Sequence, residues 1–237
     1  MTDNPLVSVI IAVKNGERFL AAAIESVLAQ DYHPYEIMVV DGHSTDRTAQ
    51  IAHSFSPVRY IEQQGRGIPA AYNTGIGAAQ GELIAFLSHD DYWTPDKLRL
   101  QVEYLIAHPE IQYTVARLKF FLEPGQPPPV GFRPELLQGD HVGRVMETLV
   151  VRKSLFNELG LFRIDLSTAE DVEWFARAND QGIKMAVIPQ VLLHKRVHNS
   201  NSSMTVENNR NLLKALRQSV HRKQKNLTAN PAGSKDS

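Results

Sequence analysis

Short β-branched runs alternate with helical patterns through the N-terminal part of the chain, and that alternation restricts the fold more than any single motif. Val7 to Val13 reads as a strand, a helical pattern follows near Glu17 to Ala29, Glu36 to Asp41 is a second strand, and a second helix begins at Asp46. Val58 to Glu62, Ile68 to Ala79 and Glu82 to Ser88 continue as strand, helix and strand. The next helix carries its own start signals: Thr94 as N-cap, then Pro95 at the first helical position, where a missing N–H costs nothing. Such alternation predicts an α/β fold with a mostly parallel sheet covered on both faces, and ligands gather at the carboxyl ends of its strands.

Composition narrows the function classes. At 237 residues and 43% hydrophobic, the chain suits one large domain or two small ones with a real core. A formal net charge of -1 gives no basic field, so nucleic acid is not expected as a partner. The absence of cysteine excludes disulfides and thiolate metal sites, leaving carboxylate and histidine ligands for any metal. Met1 to Pro5 is short and polar and runs straight into a strand, so no export signal is expected. No apolar run approaches the roughly 20 residues a membrane span needs, which makes the cytoplasm the expected location. In such a chain the sequons at Asn201 and Asn226 carry no weight.

Beyond the alternating part, Glu123 to Asp140 is too rich in Pro and Gly for a helix or central strand and reads as a surface loop able to cover a substrate. Val145 to His198 reads as a short helix near Lys153, a stronger one from Ala169 to Asn179 and an extended run from Lys184 to His194. Val206 to Leu227 is helical in pattern, with Leu212, Leu213, Leu216 and Val220 on one face and Arg210, Lys214, Arg217 and His221 on another. That helix either packs on the domain with a solvated face or meets a membrane surface or partner. Residues 228–237 are expected to be disordered.

Two carboxylates stand side by side in "FLSHDDYW", directly after an apolar run that ends a strand. Like charges so placed repel unless a cation is shared between them, although loop aspartates often only face water. The context is specific. "VSVIIAVKNGE", "IMVVDGHSTDRTAQI" and "GRGIPAAYNTGIGAAQGE" precede the pair in that order, and "LSTAEDVEWFARA" follows it. With these motifs the chain resembles the family-2 glycosyltransferases of the GT-A fold, an inverting, bacterial polysaccharide type; the likeness is close from Leu6 to Leu98.

The resemblance implies a single Rossmann-like GT-A domain over residues 1–205, with a donor half at 1–98 and an acceptor half at 99–205. It implies transfer of a sugar from a nucleotide sugar, with UDP as the expected nucleotide, to an acceptor hydroxyl of a glycan or lipid-linked molecule. Mg²⁺ or Mn²⁺ would sit at the diphosphate, where a Lewis acid stabilises the charge that builds on the leaving group. By the family's motif Asp91 touches that metal and Asp90 the sugar or ribose. Ala12, Val13 and Asn15 line the base pocket and Asp41 reads base or ribose, although Asp41 also suits a helix-entry turn with Ser44 as cap. Lys14 stands where an aromatic is common and Gly42 where a second acid is common.

Five further residues complete the expected site. Arg66 between glycines either approaches phosphate or is an exposed loop arginine. Asn73 either contacts the donor or satisfies backbone groups. Asp171 matches the family's acidic motif as the base that deprotonates the acceptor, with Glu170 in support, while both also suit a helix start on dipole grounds alone. His198, in "HKRVHNSNSS", is a metal or phosphate contact by resemblance. A non-catalytic nucleotide-sugar binding module and a nucleotidyltransferase are the rival readings. The retained Asp171 opposes the first, and "AVKNGE" lacks the Gly-rich basic loop of the second.

Overall fold

The computed structural model describes residues 4–166, 169–199, 201, 211–215, 217–220 and 222. Its strands are β1 (Val7–Val13), β2 (Tyr35–Asp41), β3 (Val58–Glu62), β4 (Leu83–Ser88), β5 (Tyr92–Trp93), β6 (Tyr113–Phe121), β7 (His141–Val142), β8 (Val150–Arg152) and β9 (Met185–Arg196). The helices are α1 (Leu20–Leu28), α2 (Thr48–His53), α3 (Ile68–Ala78), α4 (Lys97–Ala107), α5 (Leu155–Leu159) and α6 (Glu170–Asp180). One sheet in the order β3-β2-β1-β4-β8-β6-β9-β5, with β7 on β6, runs through both halves of the chain. Its long ladders are parallel: β1 lies between β2 and β4, β2 pairs β3, and β6 pairs β9. Only the short ladders of β5, β7 and β8 are antiparallel.

The alternating side chains of β1 explain the two covered faces. Val7, Val9, Ile11 and Val13 enter one core with Leu20, Ile24 and Val27 of α1, whereas Ile10 enters the other with Tyr72, Phe86 and Trp174. A strand buried on both sides is apolar at nearly every position, and the one polar residue of β1, Ser8, is satisfied by hydrogen bonds to Glu36 and the Gly81 N–H. The carboxyl ends of β1, β2, β3 and β4 consequently open on one edge.

The fourth helix starts later than its signals suggest. Asp96 occupies the N-cap without a side-chain cap bond, and the Thr94 hydroxyl donates to the Asp96 carboxylate at 2.7 Å. The Thr94 carbonyl also accepts from Gln30 Nε2 at 2.7 Å, so this residue ties α4 to the end of α1.

At the C-terminal end, residues 211–215, 217–220 and 222 are helical, whereas the other residues of the expected 206–227 helix, among them Arg210, Leu216 and His221, lie outside the described residues, as does the tail 228–237. Ala215 and Ser219 face the domain and are buried, and the Ser219 hydroxyl donates to Asp180. Lys214 pairs with Asp165 and Arg222 with Asp180 and Glu173, so part of the basic character is used in docking. Leu213 and Val220 point outward at 56% and 55% exposure. No helix among the described residues is long and apolar enough to cross a membrane.

Candidate active site

A cleft of about 1310 Å³ opens at the carboxyl ends of the parallel strands. Ala12, Val13 and Asn15 line it from the end of β1, with Gly42 and His43 from the turn after β2. Asn15 adopts a positive φ of 51° and cross-links the two turns: its N–H donates to Ser44 Oγ at 2.7 Å and its Oδ1 accepts from Thr45 N at 2.9 Å. Glycine is required next to it, because a Cβ on Gly16 would lie 2.8 Å from His89 Cδ2. Arg66 lines the cleft from an exposed turn whose flanking Gly65 and Gly67 both have positive φ, and no acid pairs with it among the described residues.

Asp41 and Asn73 do not line the cleft. The Asp41 side chain is buried with both oxygens engaged, Oδ1 by the Ser44 N–H at 3.0 Å and hydroxyl at 2.5 Å, and Oδ2 by the Tyr60 hydroxyl at 2.7 Å. It therefore organises the β2 turn, as the helix-entry alternative describes. Asn73 donates to the Phe162 carbonyl at 2.8 Å and accepts from the Phe162 N–H at 3.0 Å, the backbone-satisfying alternative.

The two acids of "HDD" diverge. Asp90 lines the cleft, its Oδ2 lying 2.8 Å from His198 Nε2. Burial opposes its charge, but the His198 hydrogen bond and nearby cations hold it below the usual carboxylate range. Asp91 is only 1% exposed and is absent from the cleft wall. Lys195 Nζ donates to its Oδ2 and the Arg196 N–H to its Oδ1, both at 2.8 Å. Burial pushes Asp91 up, and Lys195, despite its own burial, is held well above the ordinary lysine value by Asp91, Glu147 and Asp90. Both Asp91 oxygens accept hydrogen bonds from within the protein, and of the two acids, expected as metal ligand (Asp91) and sugar or ribose contact (Asp90), it is Asp90 that faces the cleft.

Arg196 fixes this arrangement. Its Nε donates to the Asp90 carbonyl at 2.8 Å, its guanidinium lies 4.4 Å from the Phe19 ring centroid and 4.6 Å from that of Phe121, and it pairs with Glu123. Glu123 begins the Pro-rich loop, and Gln126, Pro127 and Pro129 of that loop wall the cleft, as the expected substrate-covering segment would.

Glu170 and Asp171 start α6 and also line the cleft. Burial pushes both upward; Asp171 adds to the shift of Glu170, and Glu147 adds to that of Asp171. Glu147 and Lys195 are site residues that sequence reasoning did not assign. The signal was a lone acid in the apolar run "VMETLVV", since a charge there is buried and needs a partner.

Among the described residues no group of three or more ligating side chains is poised for a metal ion. The Asp90–His198 pair nevertheless fits Mg²⁺ or Mn²⁺, which are held by one or two protein groups with substrate phosphates filling the remaining positions.

A parallel sheet with acids at its carboxyl edge and a second acidic pair across the cleft define a nucleotide-sugar transferase architecture. The model for glycosyl transferase family 2 matches residues 8–164, more than half of the chain, and the chain belongs to that family. It is a glycosyltransferase that uses a nucleotide-sugar donor. An uncharacterized glycosyltransferase of Rickettsia typhi is 30% identical over 87% of this chain and 69% of its own length. A UDP-Glc:α-D-GlcNAc-diphosphoundecaprenol β-1,3-glucosyltransferase of Escherichia coli is 36% identical over 44% of this chain and 42% of its own. Among solved structures, TarS residues 1–349 of S. aureus superimpose with a TM-score of 0.70 at 20% identity, over 91% of this chain and 64% of that one. A mannosyltransferase of Pyrobaculum calidifontis, in complex with GDP-Man and Mn²⁺, gives 0.67 at 20% identity over 99% and 77%. The GT-A fold expected from the motifs is the fold observed.

Proposed function

We propose that the protein is an inverting, metal-dependent transferase that moves a sugar from a UDP-sugar to a hydroxyl of a glycan or lipid-linked acceptor. The observation that carries this is one cleft lined both by Asp90 with His198 and by Asp171, with Lys195 acting electrostatically on both carboxylates. Asp90 and His198 would hold Mg²⁺ or Mn²⁺ at the donor diphosphate. When bound, the ion neutralises charge developing on the leaving group. Ala12, Val13 and Asn15 form the floor on which the base lies, and Arg66 reaches toward phosphate. Asp171 takes the proton from the acceptor hydroxyl as that oxygen attacks the anomeric carbon, and a single in-line displacement inverts the configuration. Burial raises the proton affinity of both Glu170 and Asp171, and the Asp171 charge adds to the shift of Glu170.

UDP is favoured by the UDP-Glc donor of the Escherichia coli relative and by TarS structures solved with UDP and UDP-GlcNAc. The same relative acts on a diphosphoundecaprenol-linked sugar, which suits work at the inner face of a membrane, and outward-facing Leu213 and Val220 offer a peripheral contact there. The test is Asp171→Asn, which keeps size and removes basicity. Transfer should fall by roughly 10²–10⁴-fold while UDP affinity holds. Loss of UDP-sugar binding in proportion to activity would make Asp171 a donor contact, and near wild-type transfer would remove its role.

A further inference from the structure

Glu147 is held on three sides yet keeps one oxygen unused. Its Oε1 accepts from the Ser88 hydroxyl at 2.6 Å and from Lys195 Nζ at 3.1 Å, and its backbone carbonyl accepts from Trp93 Nε1 at 2.9 Å. The residue lines the cleft and is only 8% exposed. Oε2 accepts no hydrogen bond from the described residues, and it is not among the buried polar atoms sealed off without a partner. Lys195 also lines the cleft, and its ammonium has three N–H groups, of which Asp91 and Glu147 use two. An acceptor and a donor that adjoin each other, rigidly supported and with spare capacity, match two neighbouring hydroxyls of a pyranose, each of which both donates and accepts.

We propose that Glu147 Oε2 and the remaining N–H of Lys195 recognise adjacent hydroxyls on the sugar of the nucleotide-sugar donor. The inference rests on the transferase reading and adds to it the residues that choose the sugar. The position fits the donor sugar. Ser88, the partner of Oε1, is two residues from Asp90 on the edge assigned to the diphosphate, and Glu147 adds to the upward shift of Asp171, the proposed base. When the matching hydroxyl is missing, Glu147 Oε2 loses its partner in the closed site, so the pair discriminates against sugars lacking that group.

The experiment uses the full chain and Glu147→Gln. Ser88 and Lys195 would keep hold of the glutamine carbonyl, so an NH₂ donor would replace the acceptor facing the cleft without change of shape. Wild type is first assayed with UDP-glucose, UDP-galactose, UDP-GlcNAc and GDP-mannose in Mn²⁺, and the best donor and its singly deoxygenated analogues are carried forward. In the variant the donor KM should rise roughly 10–100-fold, while affinity for UDP alone stays within about twofold. One deoxy analogue should be discriminated against by wild type and no longer by the variant. Ser88→Ala, which leaves Oε2 in place, should shift donor KM much less. Equal weakening of UDP and UDP-sugar would make the pair a support for Asp91, and a rise confined to acceptor KM would move it to the other substrate; either overturns the proposal, as does an unchanged variant. If wild type turns over none of the donors with any glycan or lipid-linked acceptor, the transferase reading itself fails and this inference goes with it.

Discussion

Two pairs of adjacent acids sit in this protein, Asp90–Asp91 after β4 and Glu170–Asp171 at the start of α6, and they are treated in opposite ways. The first pair is divided: Asp90 faces the cleft beside His198 and is held as a carboxylate, while Asp91 turns inward to Lys195 and the Arg196 backbone. Both members of the second pair face the cleft and are raised by burial. The difference lies in the hydrogen-bond donors supplied from β9 and the segment after it. Lys195, Arg196 and His198 lie about the first pair, whereas only Lys195 acts on the second, from further away. A low proton affinity suits a group that binds cation and diphosphate; a raised one suits a group that must accept a proton.

The largest effect that would break this contrast is on folding. Asp91→Asn leaves Lys195 buried against one carboxylate fewer, and removal of one partner from a buried pair costs about 3–5 kcal/mol. Urea denaturation should show that loss in Asp91→Asn and a much smaller one in Asp90→Asn. Equal stabilities would mean that Asp91 is not the internal member. A smaller loss is expected for Asn73→Ala, which strips both hydrogen bonds from the backbone of Phe162 and should cost about 1–3 kcal/mol without altering UDP affinity. Weaker UDP binding in a folded Asn73→Ala protein would return this residue to the donor site.

A subtler effect sharpens the second pair. Protonated Asp171 cannot accept a proton, so activity is lost as pH falls through its folded pKa, and because burial raises that pKa the acid limb lies above the ordinary aspartate value of about 4. A pH–rate profile at saturating donor reads it. Removing the Glu147 charge should move the limb to lower pH, since that carboxylate adds to the upward shift. An acid limb at the ordinary value would remove the argument for a buried base.

The N-terminal half was legible because its contacts are local in sequence: each strand is followed by the helix that covers it, and β1, β2 and β4 are largely apolar. The C-terminal half was harder to read. β6 carries "YTVARLKFF", in which Arg117 and Lys119 mask the pattern, yet it bonds β7, β8 and β9 from distant parts of the chain. The same distance hid the division of labour in "HDD". Both acids follow the same strand, and what decides between them is Lys195, Arg196 and His198, about a hundred residues later, which spacing within the motif cannot reveal. The surroundings of Asp41 were hidden for a related reason, since its second oxygen is engaged by Tyr60 on the neighbouring strand.

The division between Asp90 and Asp91 is the central claim, and calorimetry of UDP binding with and without Mn²⁺ tests it most directly on the two asparagine variants at a temperature where both are folded. Asp90→Asn should lose metal-supported UDP affinity by at least about tenfold, as removal of a group at a metal site does, while Asp91→Asn should stay near wild type. The reverse pattern, with affinity lost in Asp91→Asn and kept in Asp90→Asn, would contradict the account.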